Sequence, residues 1–331
     1  MSTWTRREAL EFAAAALGAS FAGGSSRSVL AQQRTQLFIG TAGKEGAFYP
    51  LGTAMAAVIS KYVSEVDAIA PETNGTAENI KLLQEGKIEL ALAQPDLVWA
   101  ASQGLLNGVR RKVAVRNLLG THAKYLHLVT LGDRGIRSVE DLAGKRVSSG
   151  LAGTATEVKT LRVLAAHGVT PVKLEAHEHL DDADAAQALA GGRIDAFACD
   201  AALPMRVVSK LAAESSVGVR LIPTGDAITR ISERHGPYYF AATIPRGTYP
   251  GVDEDVRAAA AMTLFVADEI MAEPLVYEIT KVLLEHSLEL ASANPMAREI
   301  SSASAVRGSP VPFHPGALRY YREAGIAVPQ S

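Results

Sequence analysis

From residue 37 onward, short apolar runs alternate with stretches in which apolar residues recur every three or four positions, the pattern of strands followed by amphipathic helices. Leu37-Phe38-Ile39-Gly40 predicts a strand. Pro50 opens a helix that places Leu51, Met55, Val58, Ile59 and Tyr62 on one face. A strand around Ala68 leads into Thr73-Asn74-Gly75-Thr76, where Thr76 is the candidate N-cap of a helix running to Gly86 with Ala77, Ile80 and Leu83 inward. Ile88 to Ala93 predicts the next strand, and Tyr125 to Leu131 one long enough to cross between domains. Beyond it, Ser138 caps a short helix ended by Gly144, and Arg146-Val147-Ser148 is a strand. Residues 150–156 turn into a helix reaching His167, with Val158, Leu161 and Ala165 inward and Gly168 as its stop. A helix over Met205 to Ala213, a strand at Arg220 to Ile222 and a second crossing at Tyr239 to Ile244 follow. Two more helices are predicted, over Val256 to Met271 and Leu275 to Leu290.

This alternation argues for an α/β fold with largely parallel sheets. Two crossings imply two hinged lobes: residues 32–125 with 246–331, and residues 132–238, joined at 126–131 and 239–245. Leu83-Gln84-Glu85-Gly86-Lys87-Ile88-Glu89 also lies over Leu189-Ala190-Gly191-Gly192-Arg193-Ile194-Asp195. Helix end, glycine, cation, Ile and acid recur in order, so the lobes are expected to be alike. In open α/β sheets a ligand sits outside the carboxyl ends of the strands, which focuses four loops on one cleft.

The length of 331 residues suits about two domains, and 48% hydrophobic with 21% charged residues describes a globular chain. A formal charge of -2, with Arg110-Arg111-Lys112 the one short basic cluster, provides no surface for neutralising phosphates. Nucleic acid is therefore not an expected partner. Residues 1–31 read as an export leader: Arg6-Arg7, an apolar run from Phe12 to Phe21, and Val29-Leu30-Ala31 before a cut at Gln32. Thr5-Arg6-Arg7-Glu8-Ala9-Leu10 resembles the twin-arginine signal, although Ala9 and Glu11 leave the general secretory route open. No segment reaches the ~20 apolar residues of a spanning helix, so a periplasmic protein, free in solution and monomeric, is expected. The single Cys199 permits no internal disulfide.

Candidate ligand residues follow from the loops. Gly153-Thr154-Ala155 stands where a strand turns into a helix, a place whose free N–H groups suit a carboxylate as well as an ordinary cap. Thr41 and Tyr49 lie in or beside the first glycine-rich loop, Thr76 and Asn79 at the second, and Gln94 and Asp96 just past a buried strand. Asp200 holds the corresponding place in the second lobe. The first loop lacks a Gly-Lys-Ser/Thr ending and dinucleotide glycine spacing. Enzyme signatures are poor: no nucleophile elbow and no zinc-protease pair occurs. His177 and His179, beside Asp181 and Asp182, read as a solvated strand edge before a metal site, and Cys199 as a buried small hydrophobe before a nucleophile. A two-lobed transferase with a cofactor on a loop cysteine is the enzyme alternative. Neither metal nor cofactor is expected.

Several segments together resemble one family. They are Gly40 to Pro50, Glu72 to Asn79, Leu90 to Asp96, Asp141 to Val147, Ala242 to Gly251 and His314-Pro315-Gly316-Ala317. They are similar to the TAXI family, the solute-binding subunits of one branch of tripartite ATP-independent periplasmic (TRAP) transporters. The resemblance implies a type II periplasmic-binding-protein-like fold. It also implies delivery of an organic acid, a glutamate-like amino acid or a dicarboxylate, to a TRAP-type membrane permease, with the ligand held in the cleft by the loops above. Phe48-Tyr49 stands where the family often has a Tyr pair, and Ala152-Gly153-Thr154-Ala155 where it has Gly-Ser-Gly-Thr. A sensing module for a signalling partner is the alternative, since lobe closure can be read by either kind of partner.

Overall fold

Residues 34–109 and 111–329, which the computed structural model describes, fold in alternating order. The export leader expected over residues 1–31, with its cut near Ala31-Gln32, lies outside the described residues. The chain runs β1 (Thr35–Gly40), α1 (Phe48–Tyr62), β2 (Val66–Ile69), α2 (Thr76–Gln84), β3 (Leu90–Ala93), α3 (Pro95–Gln103) and the long β4 (Val115–Leu131). It continues through β5 (Arg146–Ser148), α4 (Ala155–Ala166), β6 (Ala176–Glu178), α5 (Asp182–Ala190), β7 (Ala196–Ala201), α6 (Arg206–Glu214) and β8 (Val219–Leu221). It ends with α7 (Ile228–His235), β9 (Tyr239–Ile244), β10 (Val256–Asp268), α8 (Glu273–Glu285), α9 (Ser287–Ala293), α10 (Ser302–Ala305) and α11 (Pro315–Glu323).

The strands form one sheet in the order β2-β1-β3-β10-β4-β7-β5-β6, with β9 on β10 and β8 on β4. Parallel pairing is confined to its two flanks, β2-β1-β3 and β7-β5-β6. Between them β10 and β4 pair antiparallel with every neighbour, so the sheet is mixed rather than largely parallel. β4 continues through both halves, holding β10 over Val115 to Tyr125 and β7 over Tyr125 to Thr130.

The segment Val256 to Asp268, expected as a helix, is strand β10. Its run Ala258 to Ala261 favours a helix intrinsically, but β3, β4 and β9 supply its backbone partners and Ala258 to Ala267 are all buried. A strand covered on both faces shows no alternation, so period alone does not separate it from a buried helix. The helix expected over Leu275 to Leu290 is broken at His286 into α8 and α9.

Helix α1 buries Leu51, Met55, Val58 and Ile59 as its period predicts. Tyr62 lies outside, stacked on His286 and donating its hydroxyl to Glu289 at 2.7 Å. In α2, Thr76 is the first helical residue and is itself buried, while Ala77 faces out. In α4 the buried positions are Lys159, Thr160, Val163 and Leu164, a face rotated from the expected Val158, Leu161 and Ala165.

The internal repeat has a structural counterpart. Gly86 and Gly192 both end their helices with positive φ, 65° and 72°. The acid that follows each then caps a neighbouring strand: Glu89 accepts the Phe38 N–H at 2.9 Å, and Asp195 accepts the Arg146 N–H at 3.0 Å. Each acid, just before its own strand, thus ties it to the parallel strand beside it, at Phe38 within β1 and at Arg146, the first residue of β5.

Candidate functional site

Strand register sets the place of the site. Ala93, at the end of β3, lies opposite Leu264 of β10, which lies opposite Gly120 of β4. Ala201, at the end of β7, lies opposite Tyr125 of β4. Because β3 runs with β4 and β7 against it, the carboxyl ends of the two flanks point at each other across Gly120 to Tyr125, about 15 Å of extended chain. The loops after β1, β2, β3, β5 and β7 converge there.

Three of the expected ligand residues bond to the backbone around these strand ends. Thr41 is fully buried and donates its hydroxyl to Pro71 O at 2.6 Å. Thr76 Oγ1 accepts the Gln94 N–H at 3.0 Å. Asn79, also fully buried, donates Nδ2 to Thr41 O (2.8 Å) and Leu92 O (3.0 Å), and its Oδ1 accepts the Thr73 hydroxyl at 2.7 Å. These bonds tie the ends of β1 and β3 to the first turns of α2. A Cβ on Gly40 would stand 2.6 Å from Asn79 Oδ1, which is why the strand ends on glycine. Asn79→Ala leaves two buried carbonyls without their donor, and denaturant titration is expected to show a loss of about 2 kcal/mol.

Tyr49, Gln94 and Asp96 are half-exposed at the starts of α1 and α3. Gly153, Thr154 and Ala155 form the start of α4 as expected, with Thr154 at the N-cap. Part of that helix end is already engaged: Glu157 Oε2 accepts the Gly153 N–H at 2.6 Å, and Thr154 Oγ1 accepts the Glu157 N–H while donating to Leu151 O at 2.7 Å.

Asp200 is the buried centre of the second flank. Its Oδ1 lies 2.5 Å from Lys159 Nζ, with the two side chains only 4% and 5% exposed. Lys159 also donates to Lys124 O at 3.3 Å and lies 5.8 Å from the Tyr239 ring centre. Burial pushes the Lys159 ammonium down, opposed by the Asp200 carboxylate. Three residues along α4, Arg162 Nη1 donates to the hydroxyls of Tyr238 (2.5 Å) and Tyr239 (3.0 Å). Burial raises both phenols, so they remain neutral donors at ordinary pH. Asp96 on α3 is close enough for its charge to act on Lys159, Arg162 and both tyrosines. Trp99, one turn on, packs against Tyr238 with ring centres 6.1 Å apart. The acid of the first flank thus lies within electrostatic range of the bases of the second.

Lys159, Arg162, Tyr238 and Tyr239 were not among the residues that sequence reasoning singled out. A lysine on the apolar side of α4 was the available signal. A cavity of about 540 Å³ lies apart from these loops, beside Tyr62, Val66, Pro274 and Leu275. Its charged lining residues are Glu65 and Glu278, which offer an anion no positive partner.

The sequence model of the NMT1-like family matches residues 39–325. Among solved structures, the chain is similar to a TctC solute-binding protein from Polaromonas at 16% identity, over 80% of this chain and 86% of that one, with a TM-score of 0.53. It is similar to the periplasmic sulfonate-binding protein SsuA from Methylobacillus flagellatus at 14% identity, over 88% and 86%, with a TM-score of 0.52. An ATP-bound protein from Xanthomonas citri matches at 12% identity, over 88% and 96%, with a TM-score of 0.52. The likeness is one of fold: this mixed α/β architecture is that of periplasmic solute-binding proteins.

Proposed function

The chain belongs to the NMT1-like family, and from that premise we propose that it is a periplasmic solute receptor that closes on a small organic acid and passes it to a membrane permease. The observation that carries this reading is Lys159, a buried cation paired with Asp200 at the end of β7 and within reach of the charge of Asp96 on α3. Lys159, Arg162 and the half-buried Lys124 are the cations that an anion would meet there, among the acids Asp96, Asp182 and Asp200. A carboxylate would meet Lys159 and Arg162, and a ligand's amine would meet Asp96 and Asp200. That combination favours a glutamate-like amino acid or a dicarboxylate. Tyr49 and Gln94 would supply further polar contacts, with the N–H group of Ala155 beside them, since the Thr154 N–H already binds Leu151 O. Charge-assisted bonds gain strength where closure excludes water.

Residues 32–125 with 246–331 would move as one lobe against residues 132–238, through 126–131 and 239–245. The resemblance of Gly40 to Pro50 and the segments after it to TAXI proteins supports a TRAP-type permease as the recipient. A receptor fits better than the transferase with a cofactor on a loop cysteine, because the Cys199 thiol is buried and burial raises its pKa well above the range of a reactive thiolate.

A thermal-shift screen of amino acids, dicarboxylates, 2-oxo acids and neutral sugars tests the reading, because a ligand that binds the folded form alone raises the melting temperature. A carboxylate is expected to produce the shift. Arg162→Gln should weaken its binding about tenfold to a hundredfold, the loss of one charge-assisted bond of about 1.5–3 kcal/mol. Shifts with sugars alone, or unchanged affinity in both Arg162→Gln and Asp96→Asn, would overturn it.

A further inference from the structure

Beyond the proposed ligand cleft, three metal-ligating side chains meet at the rim of the β7-β5-β6 flank. His177 lies in β6, His179 follows one residue after that strand, and Glu157 stands in the first turn of α4. One ligand atom from each lies within 4.8 Å of the others. His179 Nδ1 and Glu157 Oε1 are 3.0 Å apart, and the two imidazole rings are centred 4.4 Å apart. Two donors bound to one tetrahedral zinc at about 2.1 Å stand roughly 3.4 Å from each other, so the cluster reaches that shell by small side-chain rotations.

The surroundings hold two of the three donors in place. Ser149, fully buried, lies 2.7 Å from His177 Nε2 through its hydroxyl and fixes that ring. The Gly153 N–H holds the other oxygen of the Glu157 carboxylate, leaving Oε1 turned to the histidines. Such outer partners orient ligands for a metal. We propose that Glu157, His177 and His179 bind a Zn²⁺-class divalent cation. Two imidazoles and one carboxylate select this class over Mg²⁺ or Ca²⁺, which take oxygen donors. Three protein ligands leave a fourth position for water or for an oxygen donor of a bound solute. The cation would join the end of β6 to the first turn of α4, the helix that carries Lys159 and Arg162.

Titration of tag-free protein with ZnCl₂, followed by calorimetry, tests the proposal. One zinc per chain with a low-micromolar Kd is expected, and no heat with MgCl₂. His177→Ala and His179→Ala should each weaken zinc binding by about tenfold or more. Glu157→Gln, whose amide oxygen still accepts the Gly153 N–H, should weaken it in the same direction, and all three variants should keep the circular dichroism of the parent. His286→Ala, at a histidine stacked on Tyr62 far along the chain, should leave zinc affinity unchanged. Absence of stoichiometric binding, equal affinity for Mg²⁺, or zinc binding that survives His177→Ala would overturn it.

Discussion

Replacing Lys159 with methionine is expected to cost the folded protein about 3–5 kcal/mol, because it strands the Asp200 carboxylate in a buried site without its counter-charge. The two side chains are 5% and 4% exposed and 2.5 Å apart, so neither has water to fall back on. Asp182, whose carboxyl burial raises and whose titration the charges of Asp181 and Asp200 also oppose, adds repulsion once the lysine is gone. The double variant Lys159→Met/Asp200→Leu should recover most of that loss, since two packed apolar side chains need no partner. Urea denaturation of the four members of this cycle measures the coupling. If the pair is kept for ligand recognition rather than stability, the double variant will be stable yet show no thermal shift with the carboxylate that stabilises the parent. A single-variant loss below about 1 kcal/mol would mean that Asp200 reaches solvent or another cation, contrary to its burial.

The contrast between Asn79 and Lys159 shows where sequence reasoning reached and where it stopped. The apolar pattern located β1, β3, the buried face of α1 and the helix-to-strand repeat, because each depends on neighbours a few residues away. Thr41 follows β1, and Thr76 and Asn79 stand in the first turn of α2, but their roles depend on carbonyls of Pro71, Leu92 and Thr41 that only folding brings within reach. A polar residue in a loop looks the same to the eye whether it faces a ligand or staples a frame. Lys159 escaped for a different reason: the expected inward face of α4, Val158, Leu161 and Ala165, is rotated from the buried one, which carries the cation. Strand β10 escaped because its alanines are a helix signal that only β3, β4 and β9, distant in sequence, override. Glu157 was likewise invisible beside His177 and His179, since twenty residues of helix and turn separate them along the chain.

Lowering the pH from 7.5 to 4.5 is expected to remove about 5 kcal/mol of stability through two histidines of β4. His122 and His127 are fully buried. His122 lies between the hydroxyls of Thr121 (3.1 Å) and Thr263 (3.3 Å), and His127 between Tyr125 O (2.9 Å) and Tyr249 Oη (2.7 Å). Burial, helped by the Lys124 charge, pulls His122 from 6.5 to about 3. Burial likewise pulls His127 to about 4, against the Tyr125 carbonyl and the Asp200 charge. As pH falls through 6.5 the unfolded chain takes up a proton at each imidazole, and the folded chain takes up none until it nears 4. Stability is therefore full above pH 6.5 and declines below it, at up to about 2.7 kcal/mol per pH unit for two protons. His314, also lowered by burial, steepens the decline. The carboxylates held low by partners, such as Asp195 beside Arg146, add their losses chiefly below this window, while Asp182 and Glu299, whose carboxyls burial raises, take up protons in the folded chain and offset part of the decline. Urea midpoints at half-unit steps measure the slope. His122→Gln and His127→Gln should each reduce it by about 1.4 kcal/mol per pH unit, whatever they cost at neutral pH. A slope that stays unchanged in both variants would place the proton uptake elsewhere and show that these imidazoles share their charge with water.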